Sequence, residues 1–201
     1  MIEKRISDLN LIFSTPVWTS IIPNHKQVNE KMFSYIKSIQ SADPNGKIKS
    51  NINGWHSQYF NLEDEEPKFF INSISTTLSE SFNDMDWDLK KSEIKITSMW
   101  SIINLKNASN ARHIHPNNYI SAAYYIKASK NSGDIVFYDP RSANTIRFPN
   151  VSNTNKLNSN IFSVQPEEGL LVLFPSYLHH SVNINNSEDE RIVLSFNIDL
   201  I

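Results

Sequence analysis

Residues 112–116 read Arg112-His113-Ile114-His115-Pro116 and place two of the chain's six histidines two positions apart. On a β-strand, residues i and i+2 project from the same face, so the two imidazoles would lie side by side. Such a pair can form part of a divalent metal site when a third ligand arrives from elsewhere in the fold. The stretch therefore predicts a strand that carries two metal ligands.

A second histidine pair, His179-His180, lies about sixty-five residues further on, in another strand-like segment. His180 shares one face of that segment with the apolar residues Leu178 and Val182, whereas His179 lies on the opposite, polar face. We therefore expect His180 to point into the fold and His179 to point outward.

The last apolar run of the chain opens at Arg191, eleven residues after His180. Alternate residues of such a run form two faces. The apolar face holds Ile192, Leu194, Phe196 and Ile198, and the second face holds Arg191, Val193, Ser195 and Asn197. If helices cover the apolar face, Arg191 and Ser195 point into the interior of the fold.

The segment 119–127 divides in the same way. One face is mostly bulky, and the other holds two small side chains and the Tyr125 phenol. The small side chains leave room for a bound molecule. Three strands thus predict one cavity lined by His180, Arg191 and Tyr125.

From residue 94 onward, short apolar runs alternate with turn residues, which predicts a succession of strands. Eight are predicted, over residues 94–104, 111–115, 119–127, 134–138, 161–165, 170–174, 178–184 and 191–199. An earlier strand is predicted within 11–20.

Two helices are predicted before residue 90. In the first, Asn24 is the expected N-cap, and apolar residues recur at helical spacing at Val28, Met32, Tyr35, Ile36 and Ile39. In the second, over 67–82, one face carries Phe70, Ile71, Ile74, Leu78 and Phe82.

Together these elements predict a mainly β fold, a double-stranded β-helix of the jelly-roll or cupin-like type buttressed by two helices. We expect a single domain over 1–201, with the first strand and the helices in 1–90 and the jelly-roll core in 91–201.

Composition excludes several classes of function. The net charge of -2 gives no bulk attraction for nucleic acid or an anionic membrane. The chain has no cysteine, which rules out disulfides, thiolate metal ligands and cysteine nucleophiles. No apolar run reaches transmembrane length, and the charged N-terminus does not fit a signal peptide. We expect a cytoplasmic protein without nucleic-acid or membrane partners.

Three connecting segments carry separate interpretations. Residues 51–57 are interpreted as a packed loop with His56 on the surface, the alternative being a loop that covers a pocket. Asp139-Pro140-Arg141 fits a turn with an internal ion pair, the alternative being a substrate anchor. Residues 141–160 are predicted to form a long loop that governs substrate selectivity. Trp100 is interpreted as a packing residue, and no acidic or basic stripe identifies a substrate.

Four motifs stand out in the C-terminal half, namely His113-x-His115-Pro116, Ser132-Gly133-Asp134-x-Val136-Phe137-x-Asp139-Pro140-Arg141, Phe174-Pro175-Ser176-Tyr177-Leu178-x-His180-x-Val182 and Arg191-Ile192-x-x-Ser195-Phe196-Asn197. With these motifs the chain resembles the 2-oxoglutarate- and Fe(II)-dependent oxygenases over about residues 97–199. It is similar, more distantly, to the prolyl 4-hydroxylases, in which the first ligand strand carries Arg-His-x-Asp and an arginine follows a distal His-x-Val by about ten positions.

Carried over residue by residue, the resemblance implies that His113, His115 and His180 bind Fe(II). It also implies a set of residues for the cosubstrate 2-oxoglutarate. These are Arg191, Tyr125 and Asn104, to which the strand alternation adds Ser195 on the same interior face as Arg191. Arg191 would pair with the distal carboxylate, because a guanidinium meets a carboxylate with two parallel hydrogen bonds and keeps its charge when buried.

His115 departs from the wider superfamily, in which an Asp or Glu usually completes the ligand set. A third neutral imidazole leaves the metal centre more positive, which favours a dianionic cosubstrate. Three-histidine sites are compatible with iron, zinc, copper, nickel or manganese. An alternative ligand set keeps only one histidine of the pair and adds a carboxylate such as that of Asp139.

The predicted function is therefore an Fe(II)- and 2-oxoglutarate-dependent dioxygenase that hydroxylates a peptide side chain or a small metabolite, with ascorbate as an accessory reductant that the resemblance admits. Two alternatives are a jelly-roll binding module, with or without a structural metal, and a three-histidine cupin-type enzyme that uses no keto acid. The binding module predicts that Arg191 is exposed or paired with a nearby acidic residue, namely Glu188, Asp189 or Glu190. The cupin-type enzyme leaves Arg191 unexplained.

Overall fold

A computed structural model describes residues 7–141 and 149–201. These residues form two helices and eleven strands. In chain order they are β1 (Trp18–Ile21), α1 (His25–Ala42), β2 (Asn51–Ile52), β3 (Trp55–His56), α2 (Glu65–Asn83), β4 (Ile94–Asn104), β5 (Ser109–His113), β6 (Ile120–Lys127), β7 (Ile135–Tyr138), β8 (Ile161–Val164), β9 (Leu170–Pro175), β10 (His180–Val182) and β11 (Arg191–Leu200).

The strands form two antiparallel sheets. The larger sheet has the order β1-β9-β6-β11-β4-β3, and the smaller has the order β2-β5-β10-β7-β8. Successive parts of the chain pass from one sheet to the other, which is the arrangement of a double-stranded β-helix. The predicted jelly roll with helices against one sheet is thereby confirmed.

Both helices pack on the outer face of the larger sheet. Their buried apolar residues join the alternating residues of β6 and β11 in one core, as the alternation of those strands predicts. The buried Asn29 of α1 ties the helix to the sheet, since its Nδ2 donates to the Ile126 carbonyl oxygen at 2.9 Å and its Oδ1 accepts from the Tyr124 hydroxyl at 2.7 Å.

The ends of the two helices differ slightly from expectation. Asn24 occupies the N-cap position of α1, but its side chain makes no capping hydrogen bond and its backbone is left-handed, with φ 55°. The second helix begins at Glu65, two residues before the predicted start. Its first turn contains two acidic residues, whose negative charges interact favourably with the positive end of the helix dipole. Neither of the two described helices is long and apolar enough to cross a membrane.

The inner faces of the two sheets share a second, smaller core. Phe137 of β7 lies across from Phe174 of β9, with ring centroids 4.9 Å apart. Tyr125 and Val193 belong to this core, which confirms that the second faces of β6 and β11 point inward. The division of each strand into a helix-covered face and an interior face therefore follows the sequence pattern.

All eight strands predicted from residue 94 onward are present as β4 to β11. The predicted extent of β5 was wrong, because the strand ends at His113 and the His115 amide instead donates to the Ser176 carbonyl oxygen at 3.0 Å. The proline at 116 lacks an amide hydrogen and could not continue the ladder.

The interpretation of residues 51–57 as a loop with a surface histidine was wrong. The segment contributes β2 to the smaller sheet and β3 to the larger one, and His56 is only 5% exposed. Each strand has two residues, too few for a periodic pattern to reveal.

The predicted selectivity loop at 141–160 lies partly outside the described residues, since these omit 142–148. The turn before it is described. There Arg141 Nη2 lies 2.7 Å from Asp139 Oδ2, which confirms the predicted ion pair.

Replacing Phe70 with alanine should test the packing of the helices on the sheet. The Phe70 side chain is 0% exposed, and its ring lies 5.0 Å from that of Tyr124 and 5.7 Å from that of Phe196. We expect the free energy of unfolding, measured by urea denaturation, to fall by about 3–5 kcal/mol. Phe13→Ala, at a side chain 89% exposed, is the control and should change it by less than about 0.5 kcal/mol. Equal effects of the two changes would contradict this account of the core.

Candidate metal and cosubstrate site

The structure brings His113, His115 and His180 together at one end of the space between the sheets. His113 ends β5, and His180 begins β10 directly opposite it in the ladder. The ligating atoms of the three rings all lie within 4.8 Å of one another, and Nε2 of His113 and of His115 are 3.2 Å apart. Two strands and the turn after β5 therefore supply a group that could hold a metal ion.

Each of the three rings is oriented through its other nitrogen. The Nδ1 of His113 donates to the Ala111 carbonyl oxygen at 2.8 Å, and that of His180 donates to the Leu178 carbonyl oxygen at 3.0 Å. Carbonyl oxygens only accept, so these hydrogen bonds fix the protons on Nδ1 and leave the Nε2 lone pairs facing the cluster.

His115 is oriented by a side-chain network. Its Nδ1 lies 2.9 Å from Asn197 Oδ1 and 2.9 Å from Ser121 Oγ. The Ser121 hydroxyl also donates to Asn197 Oδ1 at 2.8 Å and contacts Ser176 Oγ at 2.7 Å. Asn197 Oδ1 can only accept, so His115 presents its Nε2 to the cluster in the same way as the other two rings.

Burial keeps all three imidazoles neutral. Loss of hydration is the main cause, and neighbouring histidines add a smaller effect; together they lower the pKa of His115 to about 4 and that of His180 to about 3. Burial also lowers the pKa of His113. Neutral Nε2 atoms facing each other at close range repel through their lone pairs, and a bound cation would convert this repulsion into coordination.

Arg191 lies fully inside the fold, at 1% exposure. Its Nη1 donates to the carbonyl oxygens of Ser132 and Gly133, at 3.1 and 2.8 Å. Its Nε is buried and has no hydrogen-bond partner among the described residues. A buried guanidinium with an unused donor is costly unless an anion meets it, so this edge is suited to a carboxylate.

The other predicted cosubstrate residues are placed as follows. Tyr125 and Ser195 line the same cavity as Arg191, and burial raises the pKa of Tyr125 to about 12, which keeps its hydroxyl protonated as a hydrogen-bond donor. Asn104 is the ladder partner of Arg191 but does not itself line the cavity. Its Nδ2 donates to Asn110, which does line it, while its Oδ1 has no partner among the described residues.

Two of the alternatives drawn from the sequence do not fit this geometry. Among the described residues, Arg191 forms no ion pair, whereas Glu188 pairs with Lys106 and Glu190 with Lys37. The alternative ligand set with a carboxylate fits less well, because the described group that could hold a metal ion consists of histidines alone and Asp139 pairs with Arg141.

A cavity of about 680 Å³ runs from Arg191 past the three histidines to the surface. Sequence reasoning missed several of its lining residues, among them Lys49, Tyr59, His56 and Trp100. The rings of His56 and Trp100 stack with their centroids 5.9 Å apart and their planes at 7°. Trp100 also lies against the ring of His115, at 5.3 Å. Its position on β4 has the same parity as Asn104, which was the one available signal that it faces the interior.

The residues present fit both Fe(II) and 2-oxoglutarate. Three neutral imidazoles on one side of a metal leave coordination positions open for a bidentate keto acid. Arg191 lines the same cavity, and its buried guanidinium with an unpaired Nε suits the far carboxylate of a diacid.

Comparison with known proteins agrees with this chemistry. The family model described as "Putative 2OG-Fe(II) oxygenase" matches residues 98–197, which contain all three histidines and Arg191. None of the curated proteins matches the sequence.

Several solved structures share the fold. A prolyl 4-hydroxylase from Pseudomonas putida is 13% identical, with a TM-score of 0.64 over 92% of this chain and 93% of its own. A collagen prolyl hydroxylase of Paramecium bursaria Chlorella virus-1, in complex with 2-oxoglutarate, is 12% identical, with a TM-score of 0.58 over 90% and 94%. HygX from Streptomyces hygroscopicus, with nickel, 2-oxoglutarate and hygromycin B bound, is 12% identical, with a TM-score of 0.56 over 92% and 83%. At these identities the likeness shows the fold.

The buried histidines should make the metal-free protein sensitive to acid. The pKa of His180 is about 3 when folded, against an ordinary value of 6.5, so between these values the unfolded chain binds a proton that the folded protein does not. The contribution of the neutral His180 ring to the free energy of unfolding is therefore complete above pH 6.5. It decreases as the pH falls toward the pKa of the folded protein. We expect His180→Asn to reduce the slope of unfolding free energy against pH by up to about 1.4 kcal/mol per pH unit between about pH 6 and pH 4. Urea denaturation in chelator would measure it, and parallel profiles for the two proteins would contradict the prediction.

Proposed function

We propose that this chain, which belongs to the 2OG-Fe(II) oxygenase family, is a dioxygenase that holds Fe(II) on His113, His115 and His180 and binds 2-oxoglutarate through Arg191. One observation carries the proposal. A buried arginine donor without a partner and three neutral imidazoles with converging Nε2 atoms share a single cavity. A metal-bound diacid would satisfy both groups at once.

The metal and cosubstrate supply the oxidation. With dioxygen, 2-oxoglutarate is converted to succinate and carbon dioxide, and the second oxygen atom is inserted into a C–H bond of the substrate. The protein contributes binding, orientation and exclusion of water.

Arg191 and Tyr125 would set the position of 2-oxoglutarate. The Ser132 and Gly133 carbonyl oxygens hold one Nη of the guanidinium, so its free Nε edge is oriented before the diacid arrives. The protonated Tyr125 hydroxyl, whose pKa burial raises, is available to donate to the same carboxylate. The apolar inner walls around Phe174 and Val193 exclude water, which strengthens these charged contacts.

His115 determines the net charge of the proposed ligand set. Because its ring is neutral and Asn197 and Ser121 hold it through neutral groups, the ligand set carries no negative charge. The full charge of a divalent ion would then face the cosubstrate, which favours binding of a dianion.

The alternatives from the sequence account for less of the site. A jelly-roll binding module predicts an exposed or internally paired Arg191, whereas the residue is buried and forms no ion pair among the described residues. A three-histidine enzyme without a keto acid leaves the unpaired guanidinium donor unexplained. Peptide and small-molecule substrates both occur among proteins of this fold, since one neighbour is a prolyl hydroxylase with a hypoxia-inducible-factor peptide and another binds hygromycin B.

Anaerobic addition of Fe(II) and 2-oxoglutarate should produce the charge-transfer absorption band of a keto acid chelated to ferrous iron. Admission of air should then yield succinate. Loss of the His180 imidazole in His180→Ala should abolish the band, because two ligands no longer hold the ion firmly. Absence of the band in the unaltered protein, together with absence of succinate, would refute the proposed function.

Arg191→Gln should separate cosubstrate binding from metal binding. Truncating one partner of a buried charge pair should weaken 2-oxoglutarate binding by roughly 100-fold or more, whereas zinc binding to the histidines should persist. Arg191→Lys should fall between, because it retains the charge but not the planar pair of donors. Titration calorimetry of the zinc-loaded variants with 2-oxoglutarate measures the first effect, and titration of the metal-free variants with zinc measures the second. The exposed Arg141→Gln is the matched control, and equal losses in the two glutamine variants would count against the assigned role of Arg191.

A further inference from the structure

The cavity has a wall of aromatic rings that extends outward from the histidine cluster. Trp100 contacts His115 at 5.3 Å on its inner side, and on its outer side it contacts His56 and Tyr59 at 5.9 and 5.7 Å. Trp100 and His56 are buried, whereas Tyr59 is 58% exposed. The rings therefore form a continuous series of contacts from His115 of the proposed metal site to the exposed Tyr59.

Two lysines stand at the outer end of this wall. Lys49 lines the cavity, and Lys47 Nζ lies 5.1 Å from the centre of the Tyr59 ring. Both lysines interact electrostatically with the buried His56. Burial is the main cause that lowers the pKa of His56, and the two positive charges lower it as well. Neither lysine forms an ion pair among the described residues.

The charge of the cavity is opposite to that of the whole protein. None of the described residues that line it is acidic, although the chain as a whole has a net charge of -2. Arg191 accounts for one anion, namely the proposed cosubstrate. The charges of Lys47, Lys49 and the cavity-lining Arg112 are not neutralised by any ion pair among the described residues, and a positive cleft concentrates anionic ligands.

The lysines sit on a segment that is held in place. Asn51 Nδ2 donates to the carbonyl oxygens of Lys47 and Gly54, at 3.1 and 2.7 Å. The Lys47 amide donates to the His56 carbonyl oxygen at 2.8 Å, and the Ala111 amide donates to that of Ser50 at 2.8 Å. The backbone at both lysines is thus fixed beside the aromatic wall, which lowers the entropic cost of using them for binding.

We infer that the substrate carries a flat apolar group, which packs on Tyr59, Trp100 and His56, joined to a carboxylate or phosphate that Lys47 and Lys49 bind at the cavity mouth. This inference rests on the proposed function and names its substrate class as small anionic ring compounds. The apolar part would bring a C–H bond next to the histidine cluster, while the anion fixes the direction in which the molecule enters. Neutral and cationic ring compounds would lack the outer contact.

Four probes with a phenyl ring and different head groups test this inference. They are 3-phenylpropionate, phenyl phosphate, 3-phenylpropanamide and 3-phenylpropylamine. Titration calorimetry on protein loaded with zinc and 2-oxoglutarate measures binding without turnover. We expect one or both anions to bind at least about 10-fold more tightly than the amide, and the amine to bind most weakly. The tighter of the two anions identifies carboxylate or phosphate as the preferred group.

Variants separate the contribution of the lysines from that of the aromatic rings. The double change Lys47→Gln and Lys49→Gln should weaken binding of both anions roughly 10-fold and leave the amide unaffected. Tyr59→Ala should weaken the anions and the amide alike, by roughly 5-fold, because it removes ring contact and no charge. The exposed pair Lys95→Gln and Lys130→Gln, which does not line the cavity, is the matched control and should change nothing.

The outcomes distinguish this inference from the proposed function. If zinc-loaded protein fails to bind 2-oxoglutarate, the proposed function is refuted before any probe is added. If 2-oxoglutarate binds but the amide or amine binds as tightly as the anions, or no anion binds, only the substrate class is overturned. Equal losses in the two double-lysine variants would also overturn it, because they would show general attraction by surface charge.

Discussion

Burial of three neutral imidazoles with their Nε2 atoms turned toward one another is the constraint on which the rest of the site depends. Each ring is committed through Nδ1 to a fixed acceptor, so none can turn its lone pair away from the other two. Burial also lowers their pKa values, which prevents relief by protonation near neutral pH. An arrangement of this kind is suited to a divalent cation, and the folded chain maintains it at a cost in stability that ion binding can offset.

The two sheets position the histidine cluster and Arg191 around one cavity. Each strand of the larger sheet gives one face to the helices and the other to the interior, so β11 can place Phe196 in the helix core and Arg191 in the cavity. The smaller sheet carries His113 and His180, and the turn after β5 carries His115. A diacid bridging the metal and Arg191 would therefore lie between the sheets, with the aromatic wall leading outward.

The charge distribution of the cavity favours anionic ligands. The histidine cluster contains no carboxylate, and the described cavity lining contains no acidic residue. The buried guanidinium and the lysines of residues 47–49 then form two separate positive regions, one inside and one at the mouth. A common preference for anions thus unites the proposed cosubstrate and the inferred substrate.

Strand alternation and residue chemistry in the sequence were sufficient to predict the jelly roll, the inward direction of His180 and Arg191, and the outward direction of His179. Those features depend on neighbours along the chain, where a period of two fixes the face of each side chain. Sequence alone did not place His56 at the cavity, because β3 has only two residues and owes its position to pairing with β4. The sequence favoured His115 over Asp139 as the third ligand but could not show that Asp139 pairs elsewhere, and it could not show that Arg191 Nε lacks a hydrogen-bond partner among the described residues. These were decided by tertiary structure, since distances between groups far apart in the chain exist only after the two sheets have closed on each other.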